Sequence, residues 1–419
     1  MTKGLNAAMA AGFTLMLAVW LSLMTSCSGM GTASSSNSSA STGSNGSSGS
    51  GSGNSGSSAK YLYVANSGSN SISGFKINND GSLTALASFP VSTSSPPFSL
   101  SAAKNSLLVG ECNASCELSL YSVAGSTGNL SLSSTMSTPA IGAVLDSSGS
   151  FAYTGGGTSP NATVSAFSIV NGNISAIAGS PYQYSIGGGS NPVTATTLLV
   201  DPTGKFVYTL MTPQNEHTPS AILAVLLRNS NGSLAGFAPN SPGGSGTAGC
   251  TSGNLAVLAE QGTSLLFQSC EGSFQSDFSV QSLLIDQATG NISSTNGFSE
   301  PQGGGLAVGL AVDPSGKWLA ATDIMNNNVH ILAINPANGG LTESQSLIFP
   351  TGTGPSAVVF DSTGKFLYVL NGGLGSVGAG SNNISAYAFD ASTGMLTAVS
   401  GSPYNVGQLP TAIVIAQPQ

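Results

Sequence analysis

One short turn signature recurs along the chain, and it limits the possible folds more than any other feature. It reads Gly-x-[Leu/Ile]-[Ser/Thr], at Gly81-Ser-Leu-Thr84, Gly128-Asn-Leu-Ser131, Gly172-Asn-Ile-Ser175, Gly290-Asn-Ile-Ser293 and Gly394-Met-Leu-Thr397. Variants at Gly232-Ser-Leu-Ala235 and Gly340-Leu-Thr342 bring the copies to seven, about 52 residues apart between Leu83 and Leu396. A second signature, Asp-x-x-Gly before an apolar run, marks Asp146–Gly149, Asp201–Gly204, Asp313–Gly316 and Asp361–Gly364, and degenerates at Glu260-Gln-Gly262 and near Ala103–Asn105. Between the turns lie short runs of β-branched and aromatic residues, as hairpin chemistry requires. The clearest copy predicts four strands: Pro355–Phe360, Lys365–Leu370, Ile384–Phe389 and Leu396–Ser400, with a Gly/Ser/Asn loop over 371–383.

The chain ends decide how the copies are arranged. The first copy opens at Lys60-Tyr-Leu-Tyr-Val-Ala and lacks the small-residue strand that precedes this motif elsewhere. The last residues, Leu409-Pro-Thr-Ala-Ile-Val-Ile-Ala416, supply such a strand with nothing after it. A tail that completes the first copy closes a ring and removes two sheet edges at once. An open solenoid of the same repeats needs polar caps instead, and the matching ends argue against one. The predicted fold is therefore all-β, a seven-bladed β-propeller of four-stranded antiparallel blades closed by the C-terminal strand. Its blades cover 60–95 with 409–419, then 96–138, 139–190, 191–248, 249–303, 304–353 and 354–408. Inner strands such as Pro139-Ala-Ile-Gly-Ala-Val144 are small-rich, as crowding near an axis demands, and second strands such as Lys205-Phe-Val-Tyr208 carry the bulk.

The amino terminus is kept out of this fold. Residues 1–26 read as a targeting segment: Lys3, an apolar run from Ala7 to Leu23, then small residues before Cys27. The pattern resembles a bacterial lipoprotein signal, with Met24 where that family prefers Leu. The resemblance implies lipidation of Cys27, and a membrane-spanning anchor is the alternative. Residues 27–58 then form a Ser/Gly tether too poor in apolar residues to fold, leaving 59–419 as the propeller. Either reading places the domain outside the cytoplasm, in the bacterial cell envelope, with the membrane touched through the anchor only. There, the four remaining cysteines are expected to pair. Cys112-Asn-Ala-Ser-Cys116 spans a hairpin tip, and Cys250 and Cys270 fall on antiparallel neighbours, which gives Cys112–Cys116 and Cys250–Cys270.

Charge narrows the possible partners. Eight basic residues against sixteen acidic ones leave no positive field for phosphates, so nucleic acid is excluded as a partner. No nucleophile elbow, phosphate-cradling loop or zinc motif occurs, and no cofactor is expected apart from calcium. The recurring turns occupy one face, where Asp146, Asp201, Asp313 and Asp361 read as turn acceptors. The opposite face collects the long, variable loops, where binding normally resides. Glu111, Glu117, Glu216, His217, Glu271, Asp277 and Asp323 fall there. Glu216, His217, Glu271 and Asp277 are the catalytic candidates, as carboxylates and a histidine that titrates near neutrality. Asp323 beside Asn326–Asn328 is the calcium candidate, and the same Asn run also makes a turn without metal. His330 reads as an ordinary strand residue.

Lys60-Tyr-Leu-Tyr-Val-Ala-Asn66, Lys365-Phe-Leu-Tyr-Val-Leu-Asn371 and the Asp-x-x-Gly-Lys turns resemble the seven-bladed lactonase/YVTN-type propellers over residues 60–419. That family includes 6-phosphogluconolactonase-like enzymes and many surface proteins without known chemistry. The resemblance implies a lactone hydrolase as one reading. A phosphosugar substrate needs cations, and this chain has a single arginine, Arg228, in a third strand. A lipid-anchored propeller that binds a neutral ligand, carbohydrate, lactone or protein, through its loop-rich face is the leading expectation. An envelope scaffold without a small ligand is the third.

Overall fold

The structure, a computed structural model, describes residues 59–158, 161–185, 193–213, 221–238, 253–260, 262–270, 278–294, 298–299, 305–374 and 378–419. The signal and tether segments, 1–58, lie outside the described residues. Seven antiparallel sheets follow one another around a ring. In six, the chain runs outward from an inner strand; in the first blade, the inner strand comes from the tail. Pro410–Ala416 pairs antiparallel with Lys60–Asn66, with Tyr61 opposite Ala416 and Val64 opposite Ile413. Ile413 and Val414 are buried, and Asn105 and Gln419 add a hydrogen bond to the closure at 2.8 Å.

The two turn signatures form the two halves of one contact between blades. In five of the seven blades an aromatic at the start of a second strand packs on the glycine of the next blade's Gly-x-Leu-Ser turn. Phe366 meets Gly81, Tyr61 meets Gly128, Phe151 meets Gly232, Phe206 meets Gly290 and Trp318 meets Gly394. A Cβ on any of these glycines would lie closer than 3.0 Å to the ring. Gly81 and Gly128 also hold φ of 82° and 72°, a region closed to most side chains. One turn deeper in the strand, Tyr63, Tyr153 and Tyr368 donate to the carbonyls of Gly128, Gly232 and Gly81 at 2.6–2.9 Å. The seven apolar clusters lie between blades, each built from two neighbouring sheets.

Two strand boundaries differ from expectation. The Gly/Ser/Asn stretch predicted as a loop over 371–383 is mostly sheet: Phe366–Leu374 pairs with Gly378–Asp390 as far as Leu374 opposite Gly378. The glycine run of blade 3 behaves alike, in Phe151–Thr158 against Asn161–Val170. Backbone pairing needs no side chain, and here a neighbouring backbone fills the place a Cβ would take, Ala195 O against Gly155 and Pro410 O against Gly372. The fourth strand, in turn, is often broken: Met395–Ala398 and Tyr404–Asn405 both pair with the third strand of blade 7, with Pro403 between them. Proline at an outer edge blunts it against pairing with another chain.

Candidate functional site

The turn face carries the turns from first to second and from third to fourth strand of each blade, the loop face the loops from second to third strand and the connectors between blades, and charge divides between them. All seven basic residues after position 59 lie at the turn face or at strand ends that reach it: Lys60, Lys76, Lys104, Lys205, Arg228, Lys317 and Lys365. Lys60 pairs with Asp361 across the ring seam. The Arg228 guanidinium reaches Asp146 Oδ2 at 3.0 Å and the Gly204 carbonyl at 2.7 Å, and lies 4.9 Å from the Phe151 ring centre. The repeated aspartates are turn acceptors: Asp146 Oδ1 receives Ser150 N and Phe151 N, and Asp361 Oδ1 receives Lys365 N and Phe366 N, all at 2.8–3.0 Å. Asp201 Oδ2 accepts from Tyr208 and from Ser264 of the next blade, and burial with this carboxylate raises the Tyr208 hydroxyl's pKa.

On the loop face a buried polar side chain near the end of the second strand holds the connector that leads into its own blade. Asn66 Oδ1 accepts from Gly407 N at 3.0 Å, Ser269 Oγ from Asn254 N at 2.8 Å, and Asp323 Oδ1 from Leu306 N at 3.0 Å. Glu111 Oε2 accepts from Ser94 N and Ser95 N at 3.0 and 3.1 Å. Asn371 donates to Ser385 Oγ, which in turn receives Gly352 N. This repeated role had no local sequence signal, because the anchoring residue changes type from blade to blade.

Asp323 also closes its own turn. Its Oδ1 receives Met325 N and Asn326 N, and its Oδ2 receives Asn326 Nδ2 at 2.7 Å. Asn326 thus presents a donor to it, as a turn requires. His330 is more than an ordinary strand residue: it is 1% exposed, stacks on Phe278 at 4.1 Å, bonds Glu343 through Nδ1, and holds Nε2 3.9 Å from Asp323 Oδ2. A side chain this deep positions its neighbours. No set of three or more His, Cys, Asp or Glu suited to a metal ion occurs among the described residues. Glu216, His217, Glu271 and Asp277 lie outside the described residues. A disulfide joins Cys112 to Cys116 across a hairpin tip. Cys270 is also disulfide-bonded, and Cys250, its expected partner, lies outside the described residues.

A groove of about 380 Å³ opens on the loop face where blades 2, 3 and 4 meet. Thr138, Pro139 and Ile141 of one connector form one wall, Thr194 of the next the other, and Gly156 and Gly157 lie between, with Cys116 at the rim. The glycines let the connectors approach: a Cβ on Gly156 would meet Pro139 at 2.7 Å. The lining offers hydroxyls, backbone groups and small apolar surfaces, and no charge.

The model of the seven-bladed β-propeller lactonase family matches residues 32–146 and 301–404, together just over half of the chain. No curated protein matches it significantly in sequence. Among solved structures it is similar to the periplasmic gluconolactonase PpgL of Pseudomonas aeruginosa, at 18% identity and a TM-score of 0.65, over 85% of this chain and 99% of that one. A protein from Lactobacillus plantarum is similar at 15% identity and a TM-score of 0.64, with the same coverage of both chains. A functionally unknown protein from Desulfotomaculum acetoxidans matches at 14% and 0.58, over 86% and 99%. At such identities the likeness speaks for the fold alone, and it agrees with the blade count and with the family match. The chain belongs to the lactonase family of seven-bladed β-propellers.

Proposed function

We propose that this propeller binds an uncharged, hydroxyl-bearing ligand, a sugar or a sugar lactone, through its loop face. The observation that carries this reading is the placement of the basic residues, all seven of them toward the turn face. A phosphorylated or carboxylated ligand needs cationic or bidentate partners, and the loop face brings no lysine or arginine among the described residues. The neutral groove lined by Thr138, Thr194 and the 156–157 backbone suits a polyhydroxy ligand, with hydrogen bonds for orientation and Pro139 and Ile141 for contact.

Family membership favours a second reading, hydrolysis of a neutral lactone, with Glu216, His217, Glu271 or Asp277 as base. Assay of the full chain on δ-gluconolactone, with Glu216→Gln and His217→Gln beside it, separates the two. The binding reading predicts turnover at the uncatalysed rate in all three proteins, with saturable binding retained. Turnover that falls by about 10²-fold or more in either variant establishes the hydrolase. We further propose that lipidated Cys27 and the 28–58 tether hold the domain on the envelope. Metabolic labelling with a fatty acid tests this: label lost in Cys27→Ser supports it, and label retained there overturns it.

A further inference from the structure

We propose that Glu111, Glu117 and Ser94, where blades 1 and 2 meet on the loop face, form a binding site for a hard divalent cation of the calcium class. In four blades an acceptor near the end of the second strand holds the incoming connector directly, and in three of them that acceptor is used up or neutral. Asn66 and Ser269 carry no charge, and both oxygens of Asp323 receive donors. Glu111 is the exception. It is 0% exposed, its Oε2 takes three donors from Ser94 and Ser95, and its Oε1 is buried with no donor among the described residues.

Its neighbour adds to the imbalance. Glu117 stands directly across the ladder from Glu111, an arrangement that is unfavourable for two like charges. Ser94 Oγ lies 2.7 Å from Glu111 Oε2 and 3.3 Å from Glu117 Oε1. One hydroxyl hydrogen serves only one of those contacts, so the other brings two oxygens together with no proton between them. The seven lysines and arginines among the described residues are remote, at the turn face. The same negative surroundings reach Tyr121, whose hydroxyl is pushed up to about 12 by burial and then by Glu111 and Glu117. Two carboxylates and a hydroxyl, short of positive charge, with Ser94 exposed to solvent, form an oxygen set that suits calcium with waters completing its shell. With two carboxylate ligands from the protein, the site falls in the weak, extracellular class, with a Kd of about 0.1–1 mM.

This site lies apart from the groove between blades 2, 3 and 4, and its test does not depend on the ligand proposed there. The full chain, stripped with chelator, is melted across calcium chloride up to about 10 mM, with magnesium chloride as the control for charge and ionic strength. The expected result is a saturable rise in Tm of about 2 °C with calcium and less with magnesium. Glu117→Gln, on the solvent side, is expected to abolish the rise. Glu111→Gln is expected to abolish it too and to raise the calcium-free Tm, because an unpaired buried charge is removed. If Glu111→Gln fails to fold, Glu117→Gln carries the test alone. A wild-type Tm indifferent to calcium overturns the proposal, as does a rise undiminished in Glu117→Gln. A Tm that rises on acidification with no calcium response also overturns it, by showing that a proton holds the pair.

Discussion

The two faces of this ring are made from the same strands and do opposite things. On the turn face one grammar recurs: in five blades an aromatic packs on the next blade's glycine, and in four an aspartate closes its own turn. The described ion pairs of lysine and arginine lie there, Lys60–Asp361 and Arg228–Asp146. On the loop face the acceptors change from blade to blade, and no lysine or arginine pairs with Glu111, Glu117 or Asp323 among the described residues. Repetition marks the face that holds the ring together, and departure from it marks the face free to bind.

Changes on the turn side of this comparison should cost the most. Ending the chain at residue 408 removes the inner strand of blade 1 and exposes the edge of Lys60–Asn66. Loss of a single cooperative transition in calorimetry is expected, since a core strand and its interblade packing disappear together. Next comes Gly128→Ala, where a Cβ meets the Tyr61 ring at φ 72°. It should cost about 2–4 kcal/mol by chemical denaturation, from overpacking and strain combined. Arg228→Met strands the buried Asp146 carboxylate and should cost about 3 kcal/mol, partly restored by adding Asp146→Asn.

Acid should act on the turn face as well. Burial opposes ionisation of Asp361, but Lys60, the Thr363 hydroxyl and the Phe366 amide outweigh it and hold the carboxyl below its ordinary 3.8. A depressed folded pKa gives stability that is complete above that ordinary value and fades as pH falls through the lowered one. Lys60→Met should therefore flatten the fall in Tm below about pH 4 and lower the Tm at neutrality. On the loop side, Thr194→Val should leave stability within about 0.5 kcal/mol while weakening ligand binding. A larger stability loss there would blur the division between the faces.

How much of this was legible beforehand depended on what the signal was made of. Blade count and closure were readable because Gly81, Gly128 and their counterparts recur with the aspartate turns, and because Pro410–Ala416 fits a missing strand. The positions of the bases were readable as well, since Lys205, Lys317 and Lys365 follow Asp-x-x-Gly directly. The strands through Gly155–Gly157 and Gly372–Gly373 were not, because strand preference reflects side-chain packing and these residues have none. The contact of His330 with Glu343 and Asp323 joins residues from separate segments of the blade, and the spare oxygen of Glu111 emerges only from the connector wrapped around it. Neither leaves a local pattern in the sequence.

The most direct test of the account is a pair of calorimetric titrations of the full chain at low ionic strength, one with δ-gluconolactone and one with its 6-phosphate. A loop face without lysine or arginine among the described residues predicts that the neutral lactone binds more tightly, and that added salt narrows the gap by screening repulsion of the phosphate. Tighter binding of the phosphorylated lactone, weakened by salt, would contradict it.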